Sequence, residues 1–339
     1  MKATILTAPK QLAVVERELP ALRDGQALVR IRATGLCGTD VMVYEGGLPP
    51  RKLPITNGHE AAGTIEEIRG ESFGFRVNDA VFFRGSWGCG RCEYCLSGAA
   101  QLCRERRMLG VDIDGTMAEY AVIPTAQLFH LSEKIPFSDA QSLIGISCGL
   151  NLVHRIAEPA GKTAVIFGPG HNGLIILQLL RHAGFGRIVV VVGHRENRAR
   201  LAMELGADKT VAYDDPRLEE TIDSLIPDGP DIAVEASGSV TALKQCIHIV
   251  RKSGQVLAFS IYRGDADQFP VREFYNKGIT VTGVKGAADC YREAEELLRR
   301  GAVRIDPLIT HRFPLEKTAE AFAAFHDPEA IRIIVENQA

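Results

Sequence analysis

The sequence predicts an α/β protein in two parts: an irregular β-rich domain over residues 1–150, then a doubly wound parallel sheet over 151–286, with residues 287–339 returning to the first part. Three observations predict this. The first 150 residues alternate short β-rich runs, such as "QALVRIRATG", "AAGTIEEI" and "DAVFF", with turns rich in Gly, Pro and Asp. Strand–helix–strand patterning is absent there and begins at "TAVIF", residues 163–167. The chain, at 339 residues, is also longer than a single core usually supports.

The elements follow in order. "MKATIL" is strand-like and leads directly from Met1, with no signal-peptide pattern. After "TAVIF" come a helix through "GLIILQLLRHAG", a buried strand "RIVVVV", and a helix "ENRARLAMELG" with Ala199, Ala202, Met203 and Leu205 expected on one face. Gly206 ends that helix at a position suited to positive φ. Strands at "DIAVEA", "QVLAFS" and "ITVTGV", separated by helix-length segments, complete a parallel sheet with covering helices. The amphipathic segments "CYREAEELLRRG" and "LEKTAEAFAAF" and the strand "RIIVEN" form the returning C-terminal part.

Composition excludes several classes of function. The formal charge of −3 and the absence of charge runs or repeats offer no basic field for nucleic acid or acidic lipid. The longest apolar runs fall short of a bilayer span, so neither a nucleic-acid nor a membrane partner is expected, and a cytoplasmic location is. Eight cysteines are too few for a disulfide scaffold of this size. Clustered cysteines should then hold metal.

Half of them crowd into "CGRCEYCLSGAAQLC", with Cys89, Cys92, Cys95 and Cys103 separated by two, two and seven residues. Four thiolates on such a loop can converge tetrahedrally on one zinc ion at about 2.3 Å and fill every coordination position, which makes the site structural. An iron–sulfur cluster also takes four cysteines, and four unpaired thiols are the bland alternative.

Elsewhere "GLCGTD" and "NGHEAAG" supply Cys37, His59 and Glu60, and "ISCGLN" adds Cys148. Taken singly, each is more often a packed core residue than a ligand. Two thiolates and an imidazole from distant segments together describe an open zinc site whose remaining place takes water or a substrate oxygen.

With these motifs in hand, the chain resembles the zinc-dependent medium-chain alcohol dehydrogenases. The resemblance covers nearly all of it: the Cys-Gly-Thr-Asp and Gly-His-Glu motifs, the four-cysteine lobe and a glycine-rich turn stand in that family's order and spacing. It implies a GroES-like catalytic domain and a Rossmann domain. It also implies that Cys37, His59 and Cys148 bind catalytic zinc, that Glu60 lies close to the metal and can ligate it, and that Thr39 passes a proton. Asp40 matches the acid that orients the ligand histidine. Two departures stand out. Polyol and threonine dehydrogenase relatives often carry Glu at the position of Cys148, and Met42 stands where many relatives have a histidine. "VND" at 77–79 replaces a common Val-Gly-Asp turn, and Asn78 tolerates positive φ almost as glycine does.

"FGPGHNGL" sets Gly168, Gly170 and Gly173 in a G-x-G-x-x-G frame between strand and helix, where missing Cβ atoms let backbone N–H groups approach a pyrophosphate. About 20 residues further on, an acid would normally hold the ribose of NAD. Here Gly193 stands instead, followed by His194 and Arg195. Removing the acid removes repulsion of a 2′-phosphate, Arg195 can pair with it as a fork, and His194 can donate to it, so NADP(H) is the expected cofactor. Solvated residues opening a helix are the alternative. Some NADP-dependent members of the resembled family carry a similar Gly-x-Arg triplet, with tyrosine where Tyr213 stands.

The expectation is a reversible NADP(H)-dependent oxidoreductase with two zinc ions per chain, acting on an alcohol or carbonyl such as a secondary alcohol, polyol or cyclitol bound between the domains. Trp87, Phe83 and Met42 are candidates for pocket lining, with ordinary packing as the alternative. A zinc-free quinone or enone reductase of the same fold would lack both cysteine constellations, and a silent NADP-binding sensor would not need Cys37, Thr39 and His59. A homodimer or homotetramer is expected from size and resemblance.

Overall fold

The computed structural model describes residues 1–262 and 267–337. The chain separates into two compact units, one of Met1–Ser147 with Ala288–Gly301 and Ile305–Ala339, the other of Cys148–Ala287 with Ala302–Arg304.

In the first unit, the strands run Ile309–Pro314, Arg332–Glu336, Gln26–Gly35, Glu60–Arg69, Ala80–Phe83 and Leu128–His130 across the sheet, and Tyr120–Pro124 also pairs with Gln26–Gly35. Gln26–Gly35 is the hub. Its alternation puts Ala27, Val29 and Ile31 into a core with Ala61, Ile65, Val81, Phe83 and Ile123. Its far end sets Gly35 opposite Glu60 on one side and opposite Ile334 on the other. Antiparallel pairing thereby sets the C-terminal strand and the strand that follows His59 on opposite edges of Gln26–Gly35. Phe83 lies wholly within this core and Trp87 packs against it, which gives both a packing role in their own unit.

The second unit holds a six-stranded parallel sheet among the described residues, ordered Lys209–Ala212, Arg187–Val192, Thr163–Phe167, Ile232–Glu235, Gln255–Ala258, Thr280–Gly283. Strand order reverses between Thr163–Phe167 and Ile232–Glu235, the place where such sheets open a ligand crevice at their carboxyl ends. Helices cover both faces, so Val189, Val190 and Val191 are all buried and the strand reads as an unbroken apolar run. Gly206 has φ 110° and Asn78 φ 72°, the left-handed conformations that their residue types favour. The helix Glu196–Glu204 buries Leu201 and Ala202, with Leu205 just beyond it. Met203 departs from expectation: it is 43% exposed, because the buried stripe passes through 201, 202 and 205, and residue 203 points about 200° away from residue 201.

Candidate active site

Cys37 caps the helix Gly38–Glu45, and the Asp40 carboxylate in that helix's first turn organises everything beside it. Asp40 Oδ2 accepts from the Cys37 N–H at 3.0 Å; Oδ1 accepts from the Gly58 N–H at 3.0 Å and faces His59 Nδ1 at 3.2 Å. Asp40 is 1% exposed and His59 4%. One buried carboxylate thus ties the two motifs together and, by engaging Nδ1, leaves Nε2 to present its lone pair. Burial opposes a charge on His59, but Asp40 and Cys37 outweigh it and hold the imidazole pKa well above its ordinary value. A cation taken up at this ring replaces a proton.

Glu60 opens the next strand and brings Oε1 to 3.8 Å from His59 Nε2. A Cys37 sulfur, a His59 nitrogen and a Glu60 oxygen all lie within 4.8 Å of one another, a soft, borderline and hard donor set that suits zinc. The sequence does not single out the residue that restrains this carboxylate. Arg332, buried in the C-terminal strand, donates from Nη2 to Glu60 Oε2 and to Gln141 Oε1, from Nε to Gln141 Oε1 at 2.9 Å and from Nη1 to the Leu36 carbonyl at 3.2 Å. A Cβ on Gly35 would stand 1.7 Å from Arg332 Nη2, so that glycine clears the space for the guanidinium. Thr39 is half-buried on the same first turn as Asp40, and Met42 is half-buried one turn on. Cys148 lies on the helix Leu143–Val153, at the start of the second unit.

The thiols of Cys89, Cys92, Cys95 and Cys103 also lie within 4.8 Å of one another, with Cys92 Sγ 3.5 Å from Cys95 Sγ. A Cβ on Gly88 would come within 2.4 Å of Cys95 Sγ, which explains the glycine before the cluster. Backbone N–H groups of Arg91 and Cys92 bring the Cys89 thiol down to about 7, whereas burial pushes the Cys95 thiol up to about 11. Four thiols this close share protons and charge poorly among themselves, and a bound divalent cation relieves that.

In the second unit, the three glycines of the turn do different things. A Cβ on Gly173 would stand 1.9 Å from the Gly168 carbonyl oxygen, and one on Gly168 would stand 2.7 Å from Ser237 N. A Cβ on Gly170 would meet nothing within 4 Å. Packing requires the outer two; the middle one caps the helix His171–His182 and leaves room in front of its N-terminus, a cradle that fits a pyrophosphate. Gly193 is exposed, and a Cβ there would meet only the Tyr213 ring at 3.9 Å, so the fold itself would accept an acid. His194 packs edge-on to Tyr213 at 5.4 Å between centroids, and its Nε2 lies 3.4 Å from Asp214 Oδ2. Arg195 caps the helix Glu196–Glu204.

Two family models match the chain: an alcohol dehydrogenase GroES-like domain over residues 23–133 and a zinc-binding dehydrogenase over residues 173–300. A sorbitol dehydrogenase of Halalkalibacterium halodurans is 30% identical over 99% of both chains. The chain belongs to the zinc-dependent medium-chain alcohol dehydrogenases. Within that family, an L-threonine 3-dehydrogenase of Pyrococcus furiosus is 31% identical over 95% of this chain and 94% of its own. A crystal structure of a Sinorhizobium meliloti protein described as a zinc-binding dehydrogenase, bound to NADP, superposes with a TM-score of 0.94 at 27% identity, covering 99% of this chain and 98% of that one. For this alcohol dehydrogenase family member, the GroES-like and Rossmann readings of the two units follow. No helix among the described residues is long and apolar enough to cross a membrane.

Proposed function

We propose that the protein moves hydride reversibly between NADP(H) and the carbon of a secondary alcohol, polyol or cyclitol. One zinc ion is assigned to Cys37 and His59 with Cys148 or Glu60, and a second to Cys89, Cys92, Cys95 and Cys103. The observation that carries this reading is the convergence of thiol, imidazole and carboxylate beside the Asp40-capped helix. Relatives named for sorbitol and threonine, both of which bear secondary hydroxyls, support the substrate class.

Zinc at this donor set supplies Lewis acidity toward an alcohol or carbonyl oxygen, and the nicotinamide supplies the hydride acceptor or donor. The chain's own groups do the rest. Asp40 fixes the His59 ring, Arg332 restrains the Glu60 carboxylate through Oε2 and leaves Oε1 facing His59, and the Thr39 hydroxyl accepts the substrate's hydroxyl proton while releasing its own. With methionine at position 42, that proton leaves by water or by cofactor hydroxyls. Gly193 and Arg195 favour the 2′-phosphate of NADP, and the open space at Gly170 admits the pyrophosphate.

The same reading takes the protein as cytoplasmic, where metal-binding thiols stay reduced. It takes it as a homodimer or homotetramer; the sheet-edge strand Thr280–Gly283, with Val281 exposed and Tyr275 92% exposed nearby in the chain, offers a surface for a second copy.

A panel of secondary alcohols, polyols, cyclitols and aldehydes, followed by NADPH absorbance, tests the function. Turnover with NADP(H) that is lost with chelator and restored by zinc is expected. Turnover that persists both in chelator and in His59→Ala would overturn the zinc mechanism, and silence across the panel would favour a nucleotide-binding sensor.

A further inference from the structure

The fourth strand of the parallel sheet, Ile232–Glu235, ends in a glutamate with no exposed surface, where a valine or alanine would pack. Burying a carboxylate is costly unless donors surround it. Here they do. Glu235 Oε1 accepts from the Ser237 N–H at 2.7 Å, the Ser237 hydroxyl at 2.5 Å and the Gly238 N–H at 3.0 Å, while Oε2 accepts from the Tyr262 hydroxyl at 2.7 Å. Burial, reinforced by Glu235, pushes the Tyr262 hydroxyl up, so it stays protonated and donates. The carboxylate therefore latches the loop after the fourth strand to the loop after the fifth. A second contact marks the same junction: a Cβ on Gly238, at φ 79°, would lie 3.4 Å from the Ile261 carbonyl oxygen.

The latched loop is also the wall of the glycine turn, since Gly168 approaches Ser237 so closely that a Cβ would stand 2.7 Å from its nitrogen. Strand order gives this a direction. Gly193 follows the strand on one side of Thr163–Phe167, and Ser237 follows the strand on the other. With the pyrophosphate at the turn and the adenosine end toward Gly193, the nicotinamide half extends over Ser237 and Gly238.

We propose that Glu235 is a positioning residue for the cofactor: through Ser237, Gly238 and Tyr262 it sets the shape of the wall that receives the nicotinamide half of the dinucleotide. Neither Glu235 nor Tyr262 need touch the cofactor. The proposal rests on the dinucleotide reading above and adds to it a division of labour between the two halves of the crevice.

The test is fluorescence titration of the full-chain protein with two matched pairs: NADPH against adenosine 2′,5′-bisphosphate, and NADH against adenosine 5′-monophosphate. In Glu235→Ala, the dinucleotide of whichever pair wild type binds should weaken about tenfold or more, with the half-ligand unchanged. Glu235→Gln keeps the shape and one acceptor oxygen and should recover most of that loss. Tyr262→Phe leaves no large cavity and should weaken the dinucleotide by about threefold, which keeps the test open if Glu235→Ala does not fold. Equal weakening of dinucleotide and half-ligand, or no weakening in either Tyr262→Phe or a folded Glu235→Ala, overturns the latch. Failure of wild type to bind either dinucleotide overturns the cofactor reading itself.

Discussion

The Arg332 guanidinium reaches Glu60 across 272 residues of chain, and the two form a buried ion pair next to His59. The pair is only 3% and 7% exposed at its side chains, so neither charge has water to fall back on. Breaking such a pair strands one ion, whereas replacing both partners removes the problem.

Arg332→Leu should therefore destabilise the zinc-replete protein by about 3–5 kcal/mol, and Arg332→Leu with Glu60→Leu should regain much of that loss. Urea titrations of wild type, both single variants and the double variant measure the coupling. Additive losses would show that Glu60 and Arg332 do not act as a pair.

Thr39 sits beside Asp40 on the half-turn that Cys37 caps. Thr39→Val keeps the β-branched shape and loses the hydroxyl, so turnover should fall by about 100-fold or more, with NADPH affinity nearly unchanged. The check is a steady-state assay under conditions where deuterated substrate shows hydride transfer to be rate-limiting. An unchanged rate there would move the proton relay to another group.

Cofactor choice should reside at Gly193 and Arg195. A charge-assisted hydrogen bond contributes about 1.5–3 kcal/mol, so Arg195→Ala should weaken NADPH by roughly 10–150-fold, hardly affect NADH, and lose less as salt rises. Gly193→Asp fits the backbone, since only Tyr213 stands near the new Cβ, and should reverse the preference by repelling the 2′-phosphate and accepting from the ribose of NADH. Values of kcat/KM for both cofactors decide this. Equal loss of both cofactors in Arg195→Ala would reduce Arg195 to a solvated helix cap.

What the sequence made legible was local. The cysteine spacing, the glycine frame and the Cys-Gly-Thr-Asp motif carry their chemistry within a few residues, so the four-thiol cluster and the turn could be read directly. Arg332 could not. It opens an apolar strand, and its partners Glu60, Gln141 and Leu36 meet it only because antiparallel pairing folds the C-terminus against Gln26–Gly35. Glu235 was hidden for a similar reason: inside "DIAVEA" it reads as one polar residue of a strand, and its donors come from two separate loops. The short edge strand Lys209–Ala212 has too few residues to show a period, and Met203 misled because an apolar residue on a helix is not thereby on its buried face.

On the proposed function, two zinc ions serve separate purposes in one chain. The direct measurement is elemental analysis of freshly purified, metal-replete protein in wild type, His59→Ala and Cys92→Ala. Two zinc ions per chain are expected in wild type. One is expected in His59→Ala with the fold retained and turnover lost, and one in Cys92→Ala with folding damaged. One zinc or none in active wild type would rule out the two-site reading.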